Sequence, residues 1–116
     1  MDINYKRLVK IQTIPATATA VYTNATGKKT HVRLIQLYNG NTTAETVKLY
    51  NVPVAVGVVG TAAGSNKFFE YAMAASETKI ITYDIPGIML EDFNDSIQAE
   101  TTTAAKVTIE ITGAIV

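Results

Sequence analysis

The stretch G-I-M-L-E-D-F-N-D-S-I-Q-A-E-T-T-T-A-A-K-V-T-I-E-I-T-G, residues 87–113, decides the fold. It predicts a short apolar segment, an acidic turn, a strand from Ser96 to Thr101, a small-residue loop and a last strand from Lys106 to Thr112. Apolar and polar residues alternate along the last strand, which is the period of a strand with one buried face. Its apolar residues are Val107, Ile109 and Ile111. We expect the upstream strands to cover them.

The composition indicates one all-β domain. A chain of 116 residues suits a single core, and it contains no cysteine for disulfides or thiolate zinc sites. Gly, Asn, Ser and Thr separate the apolar runs at short intervals, which favours an antiparallel β-sandwich, Ig-like or jelly-roll-like, of about eight or nine strands. We expect residues 1–15 to form an N-terminal strand or arm and residues 16–116 a single β-sandwich domain.

The formal charge is zero but unevenly distributed. Residues 1–58 carry seven basic and two acidic side chains, whereas residues 59–116 carry three basic and eight acidic ones. The imbalance fits head-to-tail complementarity between identical subunits. We favour the alternative that strands from both halves interleave in one sandwich and mix their charges.

The N-terminal segment, residues 3–14, predicts a strand or extended arm. Its alternation places Tyr5, Val9 and Ile11 on one face, whereas Leu8 and Ile14 fall on the opposite, polar side. A helix over residues 2–13 is the alternative. The segment lacks a continuous apolar core, so we expect a soluble protein that is not exported by a signal peptide.

The middle of the chain predicts a series of strands. Residues 17–23 form the first, and Gly27 lies in the turn that follows. Residues 30–38 are apolar on both faces, which indicates a central or bulged strand. Asn39-Gly40 predicts a type I′ hairpin turn leading into a strand over residues 46–52. Further strands are predicted over residues 67–73 and 78–85, separated by a turn over 74–77.

Residues 54–64, V-A-V-G-V-V-G-T-A-A-G, combine valines typical of strands with glycines typical of loops. The segment is either ordinary core or a surface for another subunit, because such an apolar run would promote aggregation if a monomer exposed it. We favour the subunit contact.

The residues give little sign of catalysis. His31 is the one histidine, and no serine or acid lies near it at a motif spacing. No phosphate loop, nucleophile elbow or zinc signature is present. Lys28 and Lys29 lie in a turn, and the basic residues are too sparse for a nucleic-acid footprint. We therefore expect no enzyme activity, no cofactor, no small-molecule substrate, and neither a membrane nor a nucleic acid as partner.

The acidic turn Glu91–Ser96 has two interpretations. Asp92, Asn94 and Ser96 alternate like calcium ligands, but Ile97 stands where a calcium loop needs glycine and no glutamate closes the set. We favour a structural turn in which Asp95 and Ser96 cap the backbone and Phe93 closes the end of the sandwich.

The order of segments resembles small β-sandwich virion proteins of tailed bacteriophages. The likeness lies in Y-T-N-A-T-G-K-K-T-H-V-R-L-I-Q-L-Y-N (22–39), E-T-V-K-L-Y (45–50), D-S-I-Q-A-E-T (95–101) and K-V-T-I-E-I-T-G (106–113). Asn94 stands where such proteins usually have glycine. The resemblance implies a structural subunit of a virion, bound to copies of itself and to capsid or tail proteins.

These observations lead to one functional hypothesis and one alternative. The hypothesis is a virion protein of a tailed phage, either a capsid decoration or accessory protein or a neck or tail component. Its proposed subunit contacts are Tyr5, Val9, Ile11, Val54, Val56, Val58 and Val59. The alternative is a β-sandwich that binds carbohydrate or a host surface through tyrosines such as Tyr38, Tyr50, Tyr71 and Tyr83.

Overall fold

The fold is an antiparallel β-sandwich of nine strands, seen in a computed structural model that describes residues 5–84 and 86–116. The strands are β1 (Lys6–Thr13), β2 (Thr19–Thr23), β3 (Thr30–Asn39), β4 (Glu45–Val52), β5 (Lys67–Met73), β6 (Thr78–Thr82), β7 (Ile88–Leu90), β8 (Ser96–Thr101) and β9 (Val107–Ile115). A short 3-10 turn, Gly64–Asn66, precedes β5. The predicted fold class is confirmed.

Two sheets form the sandwich. Sheet I has the order β1-β9-β3-β6, and β7 also pairs with β3. Sheet II has the order β2-β8-β4-β5. In both sheets, strands from the first half of the chain alternate with strands from the second half. The oppositely charged halves are therefore interleaved, as we favoured, and the charge imbalance is mixed within one subunit.

The core lies between the sheets, and the last strand is central to it. Val107, Ile109 and Ile111 are fully buried, as the alternation predicted. The opposing sheet supplies side chains that are equally buried: Val47, Leu49, Ile97 and Ala99. Each fully buried aliphatic side chain of this size contributes about 1.5–3 kcal/mol through the hydrophobic effect.

The predicted hairpin between residues 30–38 and 46–52 is wrong. β3 belongs to sheet I and β4 to sheet II, so the intervening segment crosses between the sheets. The buried Asn39 side chain directs the crossing, because its Nδ2 lies 3.0 Å from Thr43 O and 3.1 Å from Ala74 O. Gly40 does not have the positive φ that a type I′ turn requires.

The predicted strand over residues 3–14 is confirmed from Lys6 to Thr13, but its single apolar face is wrong. Irregularities on both sides of Val9 break the pairing of β1 with β9. Each of these irregularities changes which side chains of β1 face the core. Val9 is consequently buried, with 7% of its surface exposed, whereas Ile11 is 67% exposed and Ile14 is fully buried. Residues 3 and 4 lie outside the described residues.

The other predicted strands are confirmed with small changes in their ends. The strands predicted over 67–73 and 96–101 have those bounds, and β6 ends at Thr82 instead of residue 85, which itself is not described. β3 is both central and bulged, because its register with β9 shifts between Val32 and Leu34. The bulge brings Val32, Ile35 and Leu37 into the core together.

Gly113 in β9 fits a position that has no space for a side chain. A Cβ placed there would lie 2.1 Å from the backbone oxygen of His31 in β3. The bulge in β3 is next to this point, so β3 passes unusually close to β9. Glycine therefore allows the last strand to pair along its full length.

We expect Gly113→Ala to lower the free energy of unfolding by about 2 kcal/mol or more, because two backbones would have to separate. Urea unfolding followed by circular dichroism measures this. Gly64→Ala is the matched control, since no atom lies within 4 Å of its added Cβ, and we expect a change within about 0.5 kcal/mol. Equal effects at the two positions would contradict the proposed close approach.

Glu45, at the start of β4, is a buried carboxylate held by the loop before β9. Its Oε1 accepts a hydrogen bond from Thr103 N (2.8 Å), and its Oε2 accepts one from Asn41 Nδ2 (3.0 Å). Burial alone would raise the pKa of Glu45, but these hydrogen bonds and the charge of Lys106 hold the pKa below its usual value. Glu45 thus ties the crossing loop to the loop before β9.

We expect Glu45→Gln to destabilise the fold by about 1–2 kcal/mol at pH 7, because the charged acceptor is lost. A lowered pKa in the folded state stabilises the fold above the unfolded pKa of Glu45. That contribution disappears as the pH falls through the folded pKa, so the stabilities of wild type and variant should converge once the pH is below it. Urea unfolding at several pH values tests this, with the exposed Glu91→Gln as control.

Candidate self-assembly surface

The outer face of sheet II is charged and partly covered. Lys48 in β4 lies directly between Glu70 in β5 and Glu100 in β8. Tyr50 donates a hydrogen bond to Glu100, and this bond raises the pKa of Tyr50 to about 12. Part of the segment between β4 and β5 lies over this face, where Gln98 Nε2 donates to Gly60 O at 2.9 Å. This face resembles an ordinary solvated surface.

The outer face of sheet I is open, and exposed apolar side chains lie on it beside charged ones. The pairing of β6, β3 and β9 places Ile80, Gln36 and Glu110 in one row across the face. A neighbouring row runs from Thr78 through Tyr38 to Thr108. Ile80 is 55% exposed and Tyr38 42% exposed. In the first row, Glu110 forms an ion pair with Arg7, in which Arg7 Nε lies 3.6 Å from Glu110 Oε2.

Two shallow grooves lie on sheet I. The first has a volume of about 210 Å³ and includes Ile11, Tyr38 and Ile109 in its lining. The second has a volume of about 310 Å³ and is lined by Tyr5, Arg33, Leu34, Thr82, Tyr83 and Thr112. We call the second one the Arg33 groove. The Arg33 groove thus presents apolar and hydroxyl groups around the Arg33 guanidinium group.

The backbone around Arg33 fixes its side chain within this groove. Arg33 Nε donates to Tyr83 O at 2.6 Å, and Nη1 donates to the hydroxyl of Tyr5 at 2.6 Å. The guanidinium carbon also lies 5.3 Å from the centre of the Tyr5 ring. A guanidinium group has five N–H donors, so most of them remain for a ligand.

The segment after β4 forms a tight hairpin with an apolar tip. Ala55 and Val58 exchange two backbone hydrogen bonds, and Val56 and Gly57 both have positive φ, 48° and 81°. This is the signature of a type I′ turn. Val56 is completely exposed, and Val58 and Val59 are also exposed. A β-branched residue with positive φ is strained by about 1–3 kcal/mol.

The acidic turn before β8 holds this hairpin in place. Asn94 Nδ2 donates to Gly57 O at 3.0 Å, and Asp95 Oδ1 accepts from Val54 N at 2.8 Å. Asn94 has φ 70°, a left-handed conformation that glycine favours and asparagine tolerates. Phe93, beside the hairpin tip, is 50% exposed. Hairpin tip and acidic turn therefore form one end of the sandwich.

The structural interpretation of the acidic turn is only partly correct. Asp95 caps the backbone as predicted, because its Oδ2 accepts from Glu91 N (3.2 Å) and Asp92 N (3.0 Å). Ser96 does not cap the turn, since it is buried in β8 and accepts from Gln98 Nε2. Phe93 does not close the sandwich, because half of it is exposed. Over residues 5–84 and 86–116, no cluster of three potential metal ligands occurs.

The structure brings the predicted contact residues to two separate surfaces. Tyr5 and Ile11 lie at the sheet I side, while Val56, Val58 and Val59 lie at the hairpin tip. Val54 is half-buried, with its N–H bound to Asp95. Val9 lies in the core, so we leave it out of the contact proposed below.

The sequence reasoning missed Ile80 and Phe93 as exposed apolar residues, and it named Tyr38 only as a tyrosine for carbohydrate binding. A signal was available for two of them. Ile80 and Ile81 are adjacent in one strand, as are Leu37 and Tyr38, and adjacent strand residues point to opposite faces. One member of each pair therefore had to lie outside the core.

The tyrosines suggested for carbohydrate binding do not line one groove. Tyr38 and Tyr83 lie in different grooves, and Tyr50 is buried. Tyr71 packs against the core and donates to Glu77 at 2.7 Å.

The histidine suggested no catalytic arrangement in the sequence, and the structure places its ring beside a backbone group. His31 Nδ1 lies 3.1 Å from the backbone oxygen of Pro86. In the described part of the chain, no helix has the length and apolarity to cross a bilayer.

Comparison with family models and with curated proteins finds no match. The solved structures that are similar to this chain include the following two. The coat protein of Tobacco streak virus, solved as a dimer, has a TM-score of 0.50 and 10% identity, over 96% of this chain and 84% of that chain. A Bacillus endospore appendage, from a family of disulfide-linked pili, has a TM-score of 0.47 and 17% identity, over 97% and 86%. The first likeness shows a shared fold alone, and we base no argument on the second.

We expect Val56→Asn to raise the free energy of unfolding by about 1 kcal/mol, because asparagine tolerates positive φ and valine does not. Thermal and urea unfolding measure the change. Val58→Asn is the matched control, since Val58 is also exposed but does not have positive φ, and we expect a change within about 0.5 kcal/mol. A neutral or destabilising Val56→Asn would show that the turn is not strained.

Proposed function

We propose that this protein is a non-enzymatic structural subunit that assembles with copies of itself in the virion of a tailed phage. The observation that carries the proposal is the open outer face of sheet I, where Ile11, Tyr38 and Ile80 are exposed. Aromatic residues and arginine are enriched at protein interfaces relative to the rest of the surface.

The contrast between the two sheets supports a contact at sheet I. Sheet II has the ordinary outer face of a soluble domain, with Lys48 between two glutamates. On sheet I the row of Thr78, Tyr38 and Thr108 is uncharged, and Glu110 is paired with Arg7. Soluble monomers rarely expose contiguous apolar patches unless these bind something.

The fold comparison is consistent with this role. The Tobacco streak virus coat protein, which has this fold, was solved as a dimer. A shared fold does not by itself give a shared function. It supports the proposal only in showing that a sandwich of this shape serves in a viral coat.

The tailed-phage part of the proposal depends on the sequence resemblance. Under this proposal the partners are further copies of the chain and neighbouring capsid or tail proteins, and the location is the virion. Mass spectrometry of purified phage particles from the same source tests it. Absence of the chain from intact particles would remove the virion role and leave self-assembly to be judged separately.

A carbohydrate-binding module is the second candidate, favoured by the Arg33 groove. Tyr5 and Tyr83 flank this groove, and Thr82 and Thr112 add hydroxyl groups. Aromatic rings and hydroxyls at a shallow groove suit a sugar ring. A glycan array without binding above background would exclude it.

We expect Ile80→Lys to weaken self-association at least tenfold, because a buried lysine would stand unpaired at the centre of the contact. Sedimentation velocity over a concentration series measures the association constant. Ala72→Lys is the matched control, since Ala72 is an exposed strand residue of sheet II. A wild-type protein that stays monomeric at every concentration would contradict the proposal, as would equal effects of the two variants.

A further inference from the structure

We infer that the Arg33 groove of one copy binds the acidic turn Glu91–Phe93 of a second copy. The inference rests on the proposed self-assembly and specifies which two surfaces meet. The contact joins the outer face of sheet I to the end of the sandwich that carries the hairpin tip.

The groove is built to receive a carboxylate beside an apolar group. Arg33 is held by Tyr83 O and the Tyr5 hydroxyl, which use Nε and one N–H of Nη1. The remaining guanidinium N–H groups suit a carboxylate, which they bind in bidentate geometry. The ring of Tyr5 and the side chain of Leu34 line the rest of the groove. An aromatic ring next to the carboxylate would therefore pack against Tyr5 and Leu34.

The turn offers this combination of groups. Glu91, Asp92 and Phe93 are consecutive and all exposed. Asp95 holds the backbone of the turn through Glu91 N and Asp92 N, so the three side chains project from a fixed support. Phe93 has half of its surface exposed and no part in the core cluster. Pre-ordering of this kind lowers the entropic cost of binding.

The charges on the two surfaces complement each other. Within the described ranges, the ion pairs are Arg7–Glu110 and Lys67–Glu70, so neither Arg33 nor the acids of the turn are paired there. Lys28 and Lys29 are exposed in the turn between β2 and β3, which is adjacent to the acidic turn. Because these two lysines are positive, the negative charge at this end of the sandwich is confined to residues 91–92. A cation and carboxylates that lack partners in one subunit can be satisfied across a contact.

The neighbouring apolar groups extend the same contact. The hairpin tip with Val56 is joined to the acidic turn by Asn94. Ile80 and Tyr38 share the outer face of sheet I with the Arg33 groove. In this contact, the predicted contact residues on sheet I thus come from one copy, and those at the hairpin tip come from the other copy. The groove and the turn are different surfaces, so copies either join head to tail into a ring or a filament or make the contact twice about a two-fold axis.

Charge reversal tests the contact. We expect Arg33→Glu alone, and Glu91→Lys with Asp92→Lys in one chain, each to weaken self-association at least tenfold in sedimentation velocity. A 1:1 mixture of the two variants should regain assembly within about threefold of wild type, because each groove then meets a turn of opposite charge. Lys28→Glu with Lys29→Glu is the control, with a change below about twofold expected.

The outcomes separate this inference from the proposed function. If the wild type assembles and Ile80→Lys prevents it, but neither reversal does, the contact is wrong and self-assembly stands. A mixture that stays monomeric also overturns the contact, and melting curves show whether Arg33→Glu is folded. If an oligomer of glucuronic acid binds wild type but not Arg33→Glu, and self-association is unchanged, the groove is a carbohydrate site. A wild type that never associates overturns both ideas.

Discussion

The structure depends on the antiparallel pairing of β9 with β1 on one side and β3 on the other. The inward side chains of β9 are fully buried, so sheet I and the core are complete only when this last strand is in place. Gly113 makes this possible, since a Cβ there would meet the His31 backbone oxygen. Because almost every strand pairs with partners distant in sequence, folding must overcome large loop-closure costs, and we expect it to be slow for a domain of this size.

The sequence predicted the strands well and their partners poorly. Alternation and turn residues are local signals, and they gave the strands over 67–73 and 96–101 with their observed bounds. Asn39-Gly40 is a strong local signal for a hairpin, yet the buried amide of Asn39 directs a crossing between sheets. The type I′ turn occurs instead at Val56-Gly57, where no propensity rule places valine. Tertiary contacts determined both outcomes.

The exposed surfaces were predicted only in part, for a related reason. A bulge changes which residues face inward, and bulges in β1 and β3 depend on the partner strand β9. The alternation of residues 3–14 therefore placed Val9 and Ile11 on one face, although the fold buries the first and exposes the second. The valine-rich segment 54–59 was identified correctly as unusual, because apolar residues beside glycines fit neither a regular strand nor an ordinary solvated loop.

Stability and the proposed assembly involve different parts of this molecule. The core between the sheets, the Glu45 hydrogen bonds and the close approach at Gly113 hold the subunit together, and none of them involves the outer face of sheet I. Conversely, Ile80, Phe93 and Val56 are exposed and contribute little to the core. The strain at Val56 lowers the stability of the free subunit, so burial of this tip in an assembly would be the compensating gain. The core and the exposed apolar groups are separate in this fold. Such a fold suits a subunit that folds first and assembles afterwards.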